Sequence, residues 1–346
     1  MSFEEHPEFL LDNSLFTTTR IFGTARFGHL QIVNCTQDLG AGNEYLQEIY
    51  NDDGVTIDPQ KYFIRSITFF FKIPPFPSIH KFFGYTLSPN SLILQNHTTK
   101  LSQLFRAQRS DKPSPKDQQL FNAFTPTCRA KTIFGIIAGI FHLHSFGHYH
   151  RAINPDNIYL NEKLEPIISE FGFTKDAVEP QLTELLNKFF YQAPETFING
   201  TSYDFTVDIY SLSMVIYELI AMKIPFTKEG HPNLRREITE NNLRPDTTGL
   251  PADIVELLEK CWIGDPSKRY TTSDLLIFFY RRPEPLFTGV NEEEYHEYME
   301  NLISELNIDE ETMRDLKSPH ITEETRANFQ NLLSRTNESQ DPQLLS

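Results

Sequence analysis

Two residues with metal-binding oxygen atoms stand near one another in the middle of the sequence. Asn157 carries a side-chain amide, and Glu170 carries a carboxylate within a Ser-Glu-Phe-Gly turn. Mg²⁺ accepts oxygen ligands of both kinds. The same stretch holds Ala152, which has no proton acceptor, and Asp156, which is the only carboxylate between residues 150 and 157.

A glycine-bearing segment from Arg20 to Leu30 precedes these residues and could hold phosphate groups. It contains Gly23 and Gly28, with Ala25 between them. Residues without side chains let backbone N–H groups approach phosphate oxygens closely. A β-hairpin that uses the glycines only for turn geometry explains the same pattern, and the sequence leaves both interpretations open.

Three helices are predicted around these segments. The first spans residues 58–72 and is opened by an N-cap at Asp58. The second starts near Thr125, repeats apolar residues at helical spacing and ends at Gly147. The third has Asn291 as its N-cap and one apolar stripe, which we expect to dock on the rest of the protein rather than on a separate partner helix. The stripe consists of Tyr295, Tyr298, Met299, Leu302, Ile303 and Leu306.

The composition argues against several functional classes. The chain has 346 residues, of which 31 are basic and 47 acidic, for a net charge of −16. Neutralising phosphates needs a basic surface, so nucleic acid and anionic membranes are not expected as partners. The N-terminus lacks a signal-peptide pattern, and no apolar run approaches the ~20 residues that span a bilayer. The scattered cysteines Cys35, Cys128 and Cys261 indicate a reducing compartment, and we expect a cytoplasmic protein.

Three motifs resemble signatures of protein kinases and occur in the family's order. They are His150-Arg151-Ala152-Ile153-Asn154-Pro155-Asp156-Asn157, Ser169-Glu170-Phe171-Gly172 and Ala193-Pro194-Glu195. A fourth stretch, from Cys261-Trp262 to Arg269, resembles a Cys-Trp-x-x-Asp-Pro-x-x-Arg pattern of the tyrosine-kinase-like group. The sequence is therefore similar to protein kinases, and among them to that group.

The resemblance implies an α+β fold with two lobes. A small β-rich N-lobe with one helix would occupy residues 15–97, and a large helical C-lobe would occupy residues 98–282. Residues 1–14 would form a poorly ordered leader. Residues 283–346 would form an acidic helical tail, with a weaker second helix at 322–334 and a disordered end.

Several positions that carry chemistry in the family hold other residue types here. Ala152 takes the place of the catalytic Asp, and Asn154 that of the lysine in the same loop. Glu170 stands where the family has a metal-binding Asp. Glu48 stands where the family has the lysine that grips the phosphates, and Ser66 where that lysine has its Glu partner.

The nucleotide-binding positions are only partly matched. Leu46 replaces an alanine that lies against adenine, and its extra carbons would crowd the base. Asn157 matches the position of a second metal ligand and, with Glu170, forms the possible Mg²⁺ site. The positions that resemble nucleotide-binding residues are Gly23, Ala25, Gly28, Leu30, Leu46, Leu94 and Asn157.

Residues that shape the family's fold are kept. An apolar column that joins the lobes would contain His150, Phe171 and Phe70, and the framework of the large lobe would contain Gly172, Glu195, Asp208 and Arg269. The resemblance implies that Asp208 ties down the His-Arg loop and that Arg269 pairs with Glu195. For Arg151 we expect a local contact with the activation segment, and a phosphate on Thr174 or Thr183 is the alternative partner.

These substitutions predict a pseudokinase that acts as a scaffold or an allosteric regulator among signalling proteins. ATP and Mg²⁺ would bind weakly or not at all. Two alternatives remain at the level of sequence. One is an active kinase that uses displaced groups such as Arg26 for the lysine and Asp156 for the base, and the other is a sensor that binds ATP without transferring phosphate.

Overall fold

The computed structural model describes residues 6–25, 28–51, 58–176, 189–198, 203–226, 233–282, 284–306 and 308. Within them the chain forms an N-terminal sheet with one helix, followed by a mainly helical region. This agrees with the predicted division into a small β-rich lobe and a large helical lobe. Arg26, Thr183, the predicted helix at 322–334 and the predicted disordered end lie outside the described residues.

The small lobe contains a five-stranded antiparallel sheet in the order β1-β2-β3-β5-β4. Its strands are β1 (Phe16–Ala25), β2 (Gly28–Cys35), β3 (Glu44–Tyr50), β4 (Phe82–Leu87) and β5 (Asn90–Gln95). Helix α1 (Pro59–Lys72) packs on one face of the sheet, and its buried residues include Tyr62, Phe63 and Ile67. The predicted cap is present, since the Asp58 carboxylate accepts a hydrogen bond from Gln60 N.

The large lobe is built around two helices that are buried along almost their whole length, α4 and α5. Its helices are α2 (Leu101–Arg109), α3 (Pro115–Ala123), α4 (Pro126–Ser145), α5 (Thr206–Ala221), α6 (Leu234–Glu240), α7 (Ala252–Cys261), α8 (Thr272–Tyr280) and α9 (Glu292–Glu305). Short strands β6 (Thr99–Lys100), β7 (His148–Tyr149), β8 (Ile158–Leu160), β9 (Pro166–Ile168) and β10 (Lys175–Asp176) form two small sheets. Gly147 follows α4 in the left-handed conformation that ends helices, with φ of 72°.

Helix α9 docks on the large lobe through its apolar stripe, as expected. Met299, Leu302 and Ile303 are buried in the main core together with α4 and α8. The ammonium group of Lys131 lies 2.8 Å from Glu294 of α9 and 3.3 Å from Glu165. The first part of the acidic tail is therefore an integral part of the large lobe.

The structure differs from the expected leader over residues 6–15, here named the N-terminal strap. Its backbone pairs with β4, because Leu11 N donates to Tyr85 O at 2.9 Å. The ring of Phe9 packs against Phe71 and Phe82, both at 5.5 Å between ring centres. These apolar and backbone contacts order the strap, although its mixture of polar and apolar residues gave no sign of them.

Among the residues that the structure describes, none of the helices combines the length and the apolar character that a bilayer crossing requires.

Candidate functional site

A cleft between the small and the large lobe brings most of the singled-out residues together. Its volume is about 680 Å³. The lining includes Leu30, Leu46, Glu48, Leu94, Lys100, Ala152, Asn154, Asn157, Glu170 and Phe173. The apolar members of this lining from both lobes also belong to one cluster of buried side chains. Apolar contacts therefore join the lobes where the resemblance would place adenine.

The catalytic-like loop, residues 150–157, is fixed by hydrogen bonds to the carboxylate of Asp208. Its two carboxylate oxygens accept hydrogen bonds from His150 N at 2.6 Å and from Arg151 N at 2.7 Å. His144 also contacts this carboxylate at 3.0 Å. Burial alone would raise the pKa of Asp208, but these hydrogen bonds and the neighbouring imidazoles hold it below its usual value. Asp208 therefore stays ionised and fixes the loop, in the place that sequence reasoning gave it.

Both asparagine side chains of the loop turn to the same backbone oxygen. Asn154 donates its amide N–H to Ala152 O at 2.9 Å, and Asn157 donates to the same oxygen at 2.7 Å. Asp156 lies 3.8 Å from Arg106 of α2. The side chains of the loop therefore make amide contacts with its own backbone, and Asp156, the carboxylate within the loop, lies beside a cation. Ala152 itself has no group that could accept a proton.

Glu48 places a carboxyl group at the inner end of the cleft. It lies on β3, in register with Leu30 of β2 and Leu92 of β5, and is only 6% exposed. Burial and the nearby charge of Glu170 raise the pKa of Glu48 from 4.5 to about 8. This carboxyl group therefore holds its proton to a higher pH than an exposed glutamate does.

A neutral hydrogen-bonded chain connects Glu48 to helix α1. The carboxyl group bonds to the hydroxyl of Tyr50, and that hydroxyl lies 3.1 Å from the hydroxyl of Ser66. Tyr50 is two residues along β3 and so points to the same face of the strand as Glu48. The β3–α1 contact that the resemblance assigns to an ion pair is thus made here without charge.

Lys100 is a residue of the cleft that sequence reasoning missed. It directly precedes α2, lines the cleft, and its ammonium nitrogen lies 5.0 Å from the centre of the Tyr159 ring. Burial lowers the pKa of Lys100, while the charges of Glu170 and Glu48 act in the opposite direction. One feature of the sequence could have pointed to Lys100, because it is the only Lys, Arg, Asp or Glu between residues 82 and 105.

A column of aromatic rings connects the two lobes. Phe82 of β4 stacks on Phe70 of α1 at 4.6 Å, and Phe70 meets Phe171 edge-on at 5.3 Å. Phe171 in turn lies 5.4 Å from His150. Phe69, which the sequence analysis left out, stacks flat on Phe171 at 4.0 Å. The column thus runs from the edge of the sheet to the catalytic-like loop.

The framework residues of the large lobe and Arg151 each contact a different part of the protein. Arg269 forms a two-pronged ion pair with Glu195, at 2.5 and 2.8 Å, and both side chains are buried. Gly172 lies against α1, where an added Cβ would be 3.3 Å from Tyr62. Arg151 donates to the hydroxyl of Tyr203 at 2.6 Å and stacks on its ring. Its described contact is therefore with the segment that follows Glu195.

The glycine-bearing segment forms the β1–β2 hairpin. Gly28 pairs with Ala25 and has φ of 152°, and a Cβ there would lie 2.0 Å from Ile49 O. Close backbone approach between strands thus requires Gly28. At Gly23 an added Cβ would meet no atom within 4 Å. The hairpin interpretation accounts for Gly28 without any phosphate, whereas the side chain of Ala25 lies outside the described part of the chain.

The side chains around the cleft fit Mg·ATP poorly. Glu48 lines the cleft at the position where the resemblance places a cation for the phosphates. The hydrogen bond from the Asn157 amide N–H to Ala152 O does not involve the amide oxygen, which is the atom that would bind a metal ion. Over the described ranges, no group of three or more His, Cys, Asp or Glu side chains is arranged to hold a metal ion. Glu170 and Asn157 both line the cleft and are the candidate ligands of a Mg²⁺ ion. The backbone of Glu170 has a left-handed conformation, with φ of 72°.

Comparison with known families matches residues 49–280 to the protein kinase domain, which is well over half of the chain. This chain belongs to the protein kinase family. The match includes the catalytic-like loop, the aromatic column and the ion pair of Arg269.

Curated relatives of this kinase-family chain include mitogen-activated protein kinases. It is 30% identical over 182 residues to the mitogen-activated protein kinase HOG1 of Zygosaccharomyces rouxii, covering 44% of this chain and 42% of that protein. The HOG1 protein of Saccharomyces cerevisiae is also 30% identical, over 181 residues that cover 44% of this chain and 41% of that protein. A putative serine/threonine-protein kinase/receptor, R826, of Acanthamoeba polyphaga mimivirus is 29% identical over 217 residues, covering 62% of this chain and 12% of that protein.

These similarities show the family without a finer subgroup. The chain spans about two fifths of the length of the HOG1 proteins that it matches. The relatives that are mitogen-activated protein kinases differ from the tyrosine-kinase-like group that the stretch from Cys261 to Arg269 indicated.

Proposed function

We propose that this kinase-family chain does not transfer phosphate efficiently and acts as a scaffold or an allosteric partner of signalling proteins. The observation that carries the proposal is the carboxyl group of Glu48, which is buried in the lining of the cleft at the position of the family's phosphate-binding lysine. Phosphoryl transfer relies on cations and metal ions at this place, because charge spreads over the transferred group in the transition state. A carboxyl group there supplies no such stabilisation.

The missing proton acceptor supports the same conclusion. A positioned base contributes typically ~10²–10⁴-fold to such reactions. Ala152 provides no base, and the carboxylate of Asp156 lies 3.8 Å from the guanidinium group of Arg106 of α2. The cleft thus has a carboxyl group at the position of the family's lysine and no base at position 152.

The residues that hold the lobes together support a role in binding other proteins. The column through Phe70, Phe171 and His150 is complete, and the loop anchor Asp208 is in place. A chain that keeps a rigid two-lobed shape without an efficient site can act by presenting its surfaces. The subgroup indicated by Cys261 to Arg269 is not supported by the relatives, so the proposal concerns the protein kinase family as a whole.

An active kinase with displaced groups is the second candidate, and Lys100 is the observation that favours it. Its ammonium group lies in the cleft and interacts with both Glu48 and Glu170. A phosphate would have to compete with the carboxylate of Glu170 for this cation. We therefore place this candidate, and a sensor that binds ATP without transfer, below the proposal.

A phosphoryl-transfer assay with radiolabelled ATP tests the proposal. The unmodified chain should give no signal above background with Mg²⁺ or Mn²⁺, for itself or for a generic protein substrate. Lys100→Ala is the informative variant, and Lys81→Ala is its control, because Lys81 lies outside the cleft against Phe83. Transfer by the unmodified chain that disappears in Lys100→Ala but persists in Lys81→Ala would establish the second candidate instead.

A further inference from the structure

The edge of the small-lobe sheet is covered by the chain itself. Strand β4 is the last strand in the order β1-β2-β3-β5-β4, so one side of it has no strand partner within the sheet. Edge strands expose N–H and C=O groups that readily pair with another extended segment. Here the N-terminal strap pairs with them, through the bridge between Leu10 and Tyr85 and the bond from Leu11 N to Tyr85 O.

An aromatic groove lies directly beside this edge. Its floor is formed by Phe71 of α1 and Phe82 of β4, whose ring centres are 6.4 Å apart, and Phe9 of the strap packs against both rings. His6 adds a second ring on Phe71, at 4.2 Å between ring centres. Phe9 belongs to the same apolar cluster as the groove, which continues to the interior of the small lobe.

The backbone of β4 is shaped to admit the strap. Gly84 lies at an irregularity of the β4–β5 pairing. A Cβ added at Gly84 would lie 2.5 Å from Phe9 O and 2.7 Å from a methyl group of Leu11. The strap can therefore approach this closely only because position 84 has no side chain.

We propose that the edge of β4 and the aromatic groove beside it form a peptide-binding site, which the chain fills in cis with its N-terminal strap. The ligand class is an extended peptide that pairs with the strand edge and packs an aromatic side chain against Phe71 and Phe82, as Phe9 does. This is recognition by strand addition, in which backbone hydrogen bonds supply affinity and a side-chain pocket supplies specificity.

Occupancy of this peptide site sets the position of α1. Phe71 contacts the strap, and its neighbour Phe70 stacks on Phe82 and meets Phe171 of the inter-lobe column. The rings therefore run without a gap from Phe9 to His150 in the catalytic-like loop. A partner that displaces the strap acts on the whole column, whether or not the cleft holds a nucleotide.

Hydrogen exchange of the full-length chain tests the coupling. Phe9→Ala should speed exchange about tenfold in α1 and in residues 148–153, because a half-buried aromatic ring is lost from the end of the column. Leu10→Ala is the matched control, since the Leu10 side chain is 46% exposed. Helix α5, distant from the strap, is the internal reference. No change in α1, or an equal change in α5, would overturn the coupling.

A labelled synthetic peptide of residues 6–15 tests the site itself. The strap competes in cis at a high effective concentration, so the peptide should bind the Phe9→Ala chain with an apparent Kd about tenfold lower than for the unmodified chain. The bound peptide should return exchange in α1 to its original rate. Gly84→Ala blocks the site without altering the strap sequence and should abolish binding. Equal peptide binding to the Gly84→Ala chain, or no binding to the Phe9→Ala chain, would overturn the proposal.

Discussion

Replacing Glu48 by Gln should stabilise the protein at alkaline pH and have much less effect near pH 5. The pKa of Glu48 is raised from 4.5 to about 8 by burial and by Glu170. Between these two values the folded chain keeps the proton that the unfolded chain releases, so stability falls as pH rises. At ~1.4 kcal/mol for each pH unit, the loss accumulates to about 5 kcal/mol by pH 8. Gln has no proton to release and can still bond to Tyr50.

Urea denaturation of the unmodified chain and of Glu48→Gln at pH 5, 6, 7 and 8 measures this directly. The difference in free energy of unfolding should grow with pH in favour of the variant. Glu44→Gln, at an exposed position on the same strand, should show no such growth. A difference between Glu48→Gln and the unmodified chain that stays constant within about 1 kcal/mol across this range would refute the reasoning.

Further predictions concern the large lobe. A Cβ in Gly135→Ala would lie 2.3 Å from the Tyr298 hydroxyl and 2.6 Å from Pro166, so this variant should displace α9. Hydrogen exchange over residues 292–305 should then accelerate, and unchanged protection there would contradict the docking geometry. Arg269→Ala leaves the buried carboxylate of Glu195 without its cation and should cost about 3–5 kcal/mol of stability. Urea denaturation should show this loss of stability. Adding Glu195→Gln to the Arg269→Ala variant should restore part of it. A loss below about 1 kcal/mol in Arg269→Ala would argue against a strong buried ion pair.

Much of the fold could be predicted because helix caps, apolar periodicity and the kinase-like motifs all indicate the same arrangement of helices and loops. Asp58 caps α1, Gly147 ends α4 and the stripe of α9 docks on the large lobe, each through short-range chemistry that the sequence displays. The motif order also placed Asp208 and Arg269 near their observed partners. Such features follow from helix periodicity, from capping residues and from the order of the kinase-like motifs along the chain.

The remaining features depend on contacts between segments that are distant in sequence. Lys100 reaches the cleft only because α2 starts beside Tyr159. The neutral link from Tyr50 to Ser66 depends on how β3 faces α1. The strap was expected to be a poorly ordered leader, since its short sequence does not reveal that Phe9 packs against Phe71, more than sixty residues away. Tertiary contacts of this kind have no periodic signal.

The affinity of the unmodified chain for ATP, with and without Mg²⁺, tests the central claim most directly. A ligand at 100 times its Kd would stabilise the folded chain by ~2.7 kcal/mol, which urea or thermal denaturation resolves easily. Because the cleft presents the carboxyl group of Glu48 to the phosphates, we expect no stabilisation that depends on Mg²⁺ at millimolar ATP. Clear stabilisation by Mg·ATP that is lost on adding EDTA would contradict the account.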